Sequence, residues 1–304
     1  MRASRSMLSV PANNRRMVEK GLASNADIAF LDLEDAVAPN MKAMARAQTI
    51  DAINHGDWQG KPRAVRVNQA GSPYIARDLI DLLEQAGTKL DLIILPKVDR
   101  PADALAVSRL LDGLESGLGR ARPIMIDAQI ESASGLRHCD DIATSSPRIA
   151  SLVFGPGDFA ASMSMPGRAI GVRGAWDDAY GADRLHYPLF RIATAARAAG
   201  IRAIDGPFAD FRDADGLRAS AMRSRALGFD GKWCIHPAQV EIVNEVFTPD
   251  ADEIAAARAI LDAYARATEE GSGAAVHEGV MIDAASVRMA RSVIEIAGRL
   301  PSDA

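Results

Sequence analysis

Cysteine is scarce in this sequence. Cys139 and Cys234 are the two present in 304 residues. They stand far apart, which excludes a disulfide scaffold and fits a reducing compartment. The 5 histidines make no cluster with them, so there is no zinc-type ligand set. No apolar run is long enough to span a bilayer. The start, Met1-Arg-Ala-Ser-Arg-Ser6, is charged but lacks the apolar stretch of a signal peptide. Neither GxGxxG nor P-loop spacing follows any strand-like segment, which argues against a dinucleotide or Walker-type site. Blocks of like charge are missing too. The 35 basic residues are spread among 40 acidic ones, for a net charge of -5, so no nucleic-acid surface is expected. What these absences leave is a cytoplasmic globular protein that engages neither nucleic acid nor membrane. Its 48% hydrophobic and 25% charged composition is ordinary for that class.

What is there is a rhythm. Short apolar, β-prone segments lie at 6–11, 27–33, 64–68, 92–96, 123–127, 152–154, 201–205 and 229–235. Proline, glycine or an acid closes most of them. Helical stretches alternate with them, as at 41–54, 74–85, 101–118, 189–199, 216–227 and 238–247. Eight strands and eight helices, in units of about thirty residues, predict a TM-free α/β fold, the TIM (β/α)8 barrel. An open doubly wound sheet is the alternative, and the count of eight favours closure. The expected division is a barrel over 1–248 and a C-terminal helical lid or extension over 249–304. The extension reads as an Ala-rich helix at 251–268, a glycine hinge at 271–273 and a final helix up to 298. Residues 163–187 break the rhythm and read as a long loop of their own, aromatic enough to be ordered.

In such barrels the chemistry gathers at the C-terminal strand ends. Those ends carry Glu34 and Asp35, Arg66, Lys97, Glu131, Asp158, Asp205 and His236. Glu131 and Asp158 follow neighbouring strands, so their carboxylates can meet around one ion. Two carboxylates completed by waters and substrate oxygens are the usual provision for Mg²⁺. The competing reading makes both of them helix-terminal acids. Arg66 offers a planar fork for a substrate carboxylate, or a structural ion pair with Glu34 or Asp35. Lys97 and His236 carry weaker signals. The glycines of the Gly155–Asp158 turn allow ligand atoms close to the backbone amides.

Seven ordered stretches then carry a resemblance. They are Ser4-Arg-Ser-Met-Leu-Ser-Val-Pro-Ala-Asn13, Leu31-Asp-Leu-Glu-Asp-Ala-Val-Ala-Pro39, Arg66-Val-Asn68, Leu95-Pro-Lys-Val98, Ile130-Glu-Ser132, Phe154-Gly-Pro-Gly-Asp-Phe159 and Ile235-His-Pro237. Together they resemble the citrate lyase β-subunit-like family, also called HpcH/HpaI aldolase/citrate lyase. The segments Ala203-Ile-Asp-Gly-Pro-Phe208 and Met281-Ile-Asp-Ala-Ala-Ser-Val287 look most like malyl-CoA/β-methylmalyl-CoA lyases. The resemblance implies a Mg²⁺-dependent barrel, with Mn²⁺ as a substitute, that cleaves a carboxylated 3-hydroxyacyl-CoA to an acyl-CoA and a 2-oxo acid such as glyoxylate. It implies Glu131 and Asp158 as metal ligands, with Glu34 and Asp35 holding metal-bound waters. Arg66 would take the oxo-acid carboxylate, with Gly157, Arg5 and Lys20 near substrate or CoA. Asp283 would be a catalytic group delivered by a neighbouring subunit's tail in a homotrimer or homohexamer. Gly157 departs from the alanine that close relatives often carry. Citramalyl-CoA lyases and (3S)-malyl-CoA thioesterases share these motifs. A non-catalytic subunit of a lyase complex is the competing class, and it requires a rim that binds neither metal nor CoA.

Overall fold

The computed structural model of the chain describes residues 3–120, 122–167 and 169–298. Residues 1–2 and 121, residue 168 in the expected loop, and 299–304 at the end of the expected extension lie outside the described residues. Two compact units result, one over Ser4–Asn244 and a second that comprises, among the described residues, 245–298 together with Ala3.

The first unit is a closed barrel of eight parallel strands in sequence order, with β1 pairing β8. Its strands are β1 (Ser6–Pro11), β2 (Ile28–Asp32), β3 (Ala64–Arg66), β4 (Leu92–Leu95), β5 (Met125–Ile130), β6 (Ile149–Phe154), β7 (Arg202–Asp205) and β8 (Gly231–Cys234). The expected TIM barrel is therefore what forms. Side chains alternate across a strand, so every second residue fills the interior. Met7, Ile28, Phe30, Ala64, Leu92, Ile94, Val153, Ile204 and Trp233 form that core. The Phe30 and Trp233 rings sit 4.8 Å apart within it.

Helices α1 (Arg15–Leu22), α2 (Lys42–His55), α3 (Ile75–Ala86), α4 (Pro101–Glu115), α5 (Ala133–Arg137) and α6 (Cys139–Ala143) connect the first six strands. Helices α7 (Pro156–Ser162), α8 (Ala175–Tyr180) and α9 (His186–Ala198) lie between β6 and β7, followed by α10 (Ala214–Ala226) and α11 (Val240–Val246). The segment expected as a loop at 163–187 thus contains α8 and the start of α9. A six-residue helix rich in Asp, Trp and Tyr leaves no apolar period to read. β5 also runs further than its sequence suggested. Asp127 and Gln129 are polar but face inward within the strand, so Asp127 does not end it.

The second unit holds α12 (Ala251–Glu269), an antiparallel hairpin of β9 (Ala275–His277) and β10 (Val280–Ile282), and α13 (Ala284–Gly298). Asp250 and Glu253 cap α12 reciprocally at 2.7 and 2.9 Å. Glu278 and Gly279 turn the hairpin with φ of 49° and 80°, the positive pair that a tight two-residue turn requires. Among the described residues, no helix is long and apolar enough to cross a membrane.

Candidate active site

The C-terminal ends of β2 to β6 bring five acids and two cations together. Arg66, the last residue of β3, is buried and lies flat against Asp32 at the end of β2. Its Nε donates to Asp32 Oδ1 at 2.8 Å and its Nη2 to Oδ2 at 2.5 Å. Its Nη1 reaches Glu34 Oε2 at 3.2 Å. Among the described residues, three of its five N–H donors are engaged in this way, which leaves two for a ligand. The guanidinium also stacks over the Trp233 ring at 5.3 Å. Burial opposes its charge, but Asp32 and Glu34 more than compensate and hold it protonated. The structural ion pair therefore exists, and its principal partner is Asp32 rather than Glu34 or Asp35. Two free donors leave room for the second role.

Glu34 is buried and Asp35 exposed. Lys97, just after β4, bonds both: its ammonium donates to Glu34 Oε1, and to Asp35 Oδ1 and Oδ2 at 3.1 Å each. Burial raises the Glu34 pKa, against Arg66 and Lys97. At Asp35 burial acts the same way, but the hydrogen bonds with Glu34 and Lys97 prevail and lower it. The loop carrying this pair is pinned from below. Lys42 Nζ donates to Leu33 O at 2.7 Å, Glu34 O at 2.8 Å and Asn68 Oδ1 at 2.7 Å, which uses all three of its hydrogens.

Glu131 follows β5 and is buried. Burial first, and the Asp158 charge second, push its carboxyl well above the ordinary range. Lys97 N–H donates to its Oε1 and Gln129 Nε2 to its Oε2, both at 2.7 Å. It is not a helix cap, since Ser132 Oγ takes that place on α5 by accepting from Gly135 N–H at 2.9 Å. Gly155 closes in from β6. A Cβ there would lie 2.4 Å from Glu131 Cβ, so only glycine fits. Asp158 sits in the first turn of α7, exposed, and no side chain caps that helix. Its carboxylate has no hydrogen-bond or ion-pair partner among the described residues, yet it lies close enough to Glu131 to raise that group's pKa.

This donor set suits a hard divalent cation. Its ligating atoms are carboxylate oxygens, without sulfur or imidazole, and their like charges need a counter-ion between them. Among the described residues, no three or more His, Cys, Asp or Glu side chains form a complete cage. Waters and substrate oxygens would supply the remaining positions, as an open site requires.

Gly157 lies beside Asp158 in the first turn of α7, where the nearest atoms to an added Cβ would be those of the Ile170 side chain, from 3.0 Å. The remaining expected residues lie elsewhere. Arg5 precedes β1, at the opposite end of the barrel from the acids. Its guanidinium holds Asp27 by two bonds, at 2.9 and 2.8 Å, so the structure does not bring it to the rim. An arginine that serves the N-terminal edge looks the same in sequence as one that serves the mouth. Lys20 is exposed in the last turn of α1, about 8 Å along the axis from that helix's start. His236 stacks on Phe211 at 4.7 Å, and its Nδ1 accepts from Ala238 N–H. Asp205 is buried against Lys232 rather than facing the site. In the second unit, Asp283 caps α13, accepting from Ala285 N–H at 2.8 Å and Ser286 N–H at 3.2 Å. Asp32, Lys42, Asn68 and Gln129 were missed. The signal for two of them was polarity at alternate positions inside a strand, Asp32 on β2 and Gln129 on β5.

A parallel eight-stranded barrel with carboxylates gathered at its C-terminal mouth defines a class, the barrel enzymes that work at their strand ends. Within that class, the chain belongs to the HpcH/HpaI aldolase/citrate lyase family, whose profile matches residues 5–237. It is 44% identical over 301 residues to an L-malyl-CoA/β-methylmalyl-CoA lyase of Cereibacter sphaeroides, covering 96% of this chain and 94% of that one. It is 35% identical over 292 residues to a (3S)-malyl-CoA thioesterase of the same species, covering 95% and 93%. Among solved structures, CitE of Mycobacterium tuberculosis in complex with magnesium, acetoacetate and coenzyme A matches with a TM-score of 0.77 and 28% identity, over 97% of this chain and 98% of that one. The family expected from the seven motifs is thus the one found.

Proposed function

We propose that this chain is a Mg²⁺-dependent lyase, cytoplasmic and homo-oligomeric, that reversibly cleaves malyl-CoA or β-methylmalyl-CoA to glyoxylate and acetyl-CoA or propionyl-CoA. One observation carries the reading: Asp158, with no hydrogen-bond or ion-pair partner among the described residues, lies near the buried carboxylate of Glu131. A pair of that kind calls for a cation. The name and 44% identity of the Cereibacter lyase give the substrate class.

Glu131 and Asp158 would hold the metal, with Glu34 and Asp35 orienting its waters. A cation there supplies Lewis-acid polarisation of the 2-oxo acid oxygens. The free donors of Arg66 bind the substrate carboxylate and fix its plane. In cleavage, the hydroxyl proton passes to solvent water, the C–C bond breaks, and its electron pair becomes the thioester enolate. Protonated Asp283 of a neighbouring subunit's tail then gives that enolate a proton, which yields the acyl-CoA. In condensation, Asp283 of a neighbouring subunit's tail takes the α-proton. Exposed Val276, Val280 and Met281, just ahead of Asp283, suit a tail that covers another surface. Lys20 serves the CoA phosphates.

A hydrolytic reading has its own support in the 35% identical thioesterase, and a citramalyl-CoA substrate in a 33% identical Chloroflexus aurantiacus malyl-CoA/β-methylmalyl-CoA/citramalyl-CoA lyase. Incubation of the purified protein with Mg²⁺ and malyl-CoA separates the two chemistries. Glyoxylate with acetyl-CoA is the expected result, and malate with free CoA would make it a thioesterase. EDTA should stop turnover, and full activity in its presence would end the metal reading.

A further inference from the structure

The rim sorts its donors by charge. The Arg66 guanidinium is engaged by Asp32 and Glu34, and the Lys97 ammonium by Glu34 and Asp35. Glu131 receives hydrogen bonds from two neutral groups instead, an amide side chain and a peptide N–H. A neutral donor fixes the direction of a carboxylate without cancelling the charge that a cation needs.

Both donors are placed by the fold for this task. Gln129 lies in β5 two residues before Glu131, so the extended chain carries both side chains to the same side. It is buried, and among the described residues its Oε1 has no partner and its amide bonds Glu131 alone. Lys97 adopts a φ of 53°, the left-handed region that a non-glycine residue seldom enters. Its N–H points to Glu131 Oε1 rather than to a backbone carbonyl, and just beyond the kink Val98 N–H donates to Gln129 O at 3.1 Å, so the turn at Lys97 joins these two bonds. Backbone strain of this kind persists where a site requires it.

We propose that Gln129 and the peptide of Lys97 are positioning residues that aim Glu131 at a divalent cation, an assignment that rests on the metal reading above. The test is Mn²⁺ affinity of the full-length protein without substrate, read by electron paramagnetic resonance. Gln129→Met keeps the volume and removes the donor. It should weaken Mn²⁺ binding by about 10–100-fold, while the metal-free melting temperature stays close to that of the wild type.

Two Lys97 variants separate backbone from charge. Both delete the ammonium, but glycine keeps the left-handed turn and β-branched isoleucine resists it. Lys97→Ile should therefore bind Mn²⁺ about tenfold or more weakly than Lys97→Gly. Wild-type affinity in a folded Gln129→Met protein, or equal affinities in the two Lys97 variants, overturns the assignment and leaves the metal site standing. If Gln129→Met does not fold, the Lys97 pair decides alone. A wild-type protein that binds no Mn²⁺ overturns the metal reading and this assignment with it.

Discussion

Two buried side chains show how charge is handled one residue at a time. Arg66 is tied to Asp32 through one edge of its fork, which leaves its remaining donors aligned rather than free to swing. Lysine carries the same charge but cannot hold Asp32 bidentately and still present two parallel donors. Arg66→Lys should lower kcat/KM for glyoxylate in the condensation direction by on the order of 10²-fold. An unchanged glyoxylate response would leave Arg66 as an ion-pair residue alone. Asp127 is the opposite case. It faces the barrel interior with no exposure, and burial raises its pKa against the pull of Arg202. An acid whose folded pKa lies above its unfolded value gives stability that is complete below the unfolded pKa and is lost as pH rises through the folded one. Asparagine has no such proton to lose. Asp127→Asn should therefore gain in melting temperature relative to wild type as pH climbs from about 4, the ordinary Asp value. A difference that stays constant across that range would clear Asp127.

Between elements, the fold depends on groups that the sequence shows but does not locate. Lys232 on β8 is 1% exposed and bonds Asp205 on β7, which also accepts from Ser224 on α10. One carboxylate thus joins two strands and a helix. Asp205→Ala strands a buried ammonium and should cost roughly 3–5 kcal/mol in urea denaturation, whereas the double change Asp205→Leu with Lys232→Met should be much milder. A small loss in the single variant would mean that Lys232 escapes to water. Asp205 appeared in the sequence as one more acid at a strand end, with no sign that it turns away from the mouth. The strands themselves were legible because proline or glycine follows an apolar run at Pro96, Gly155 and Gly206. Gly206 is required there, since a Cβ would lie 2.3 Å from Phe154 O. β5 was cut short because Asp127 and Gln129 look like strand-end residues, whereas an inward polar layer makes them interior. The β9–β10 hairpin was hidden for a related reason. Its three-residue strands are too short to show alternation, and Glu278 gives no turn signal although it takes a positive φ. Asp158 could be named because it follows the Gly155-Pro-Gly157 turn, and Glu131 because it follows the fifth apolar segment, but the Glu131 brace could not, because a backbone N–H leaves no mark in a sequence.

At the scale of the molecule, the question is what the second unit contributes. Asp283 holds the first turn of α13, and the Ser286 and Ala285 N–H groups keep its carboxyl below the usual range. As a cap alone, its loss would cost about 1 kcal/mol of local stability. As the base that the proposed chemistry needs, its loss would cost on the order of 10²–10⁴ in rate. These magnitudes are far enough apart to decide. Asp283→Ala should remain folded and bind CoA, yet lose C–C bond chemistry. The shared-site reading makes a further demand. Asp158→Asn disables a barrel and Asp283→Ala disables a tail, so neither homo-oligomer works. When the two inactive proteins are mixed and exchange subunits, some contacts pair an intact barrel with an intact tail, and activity should partly return. Exchange can be followed independently by mass spectrometry of tagged chains. If Asp283→Ala turns over on its own, before any mixing, Asp283 is only a cap. If it is inactive and mixed oligomers form but stay inactive, each chain completes its own site.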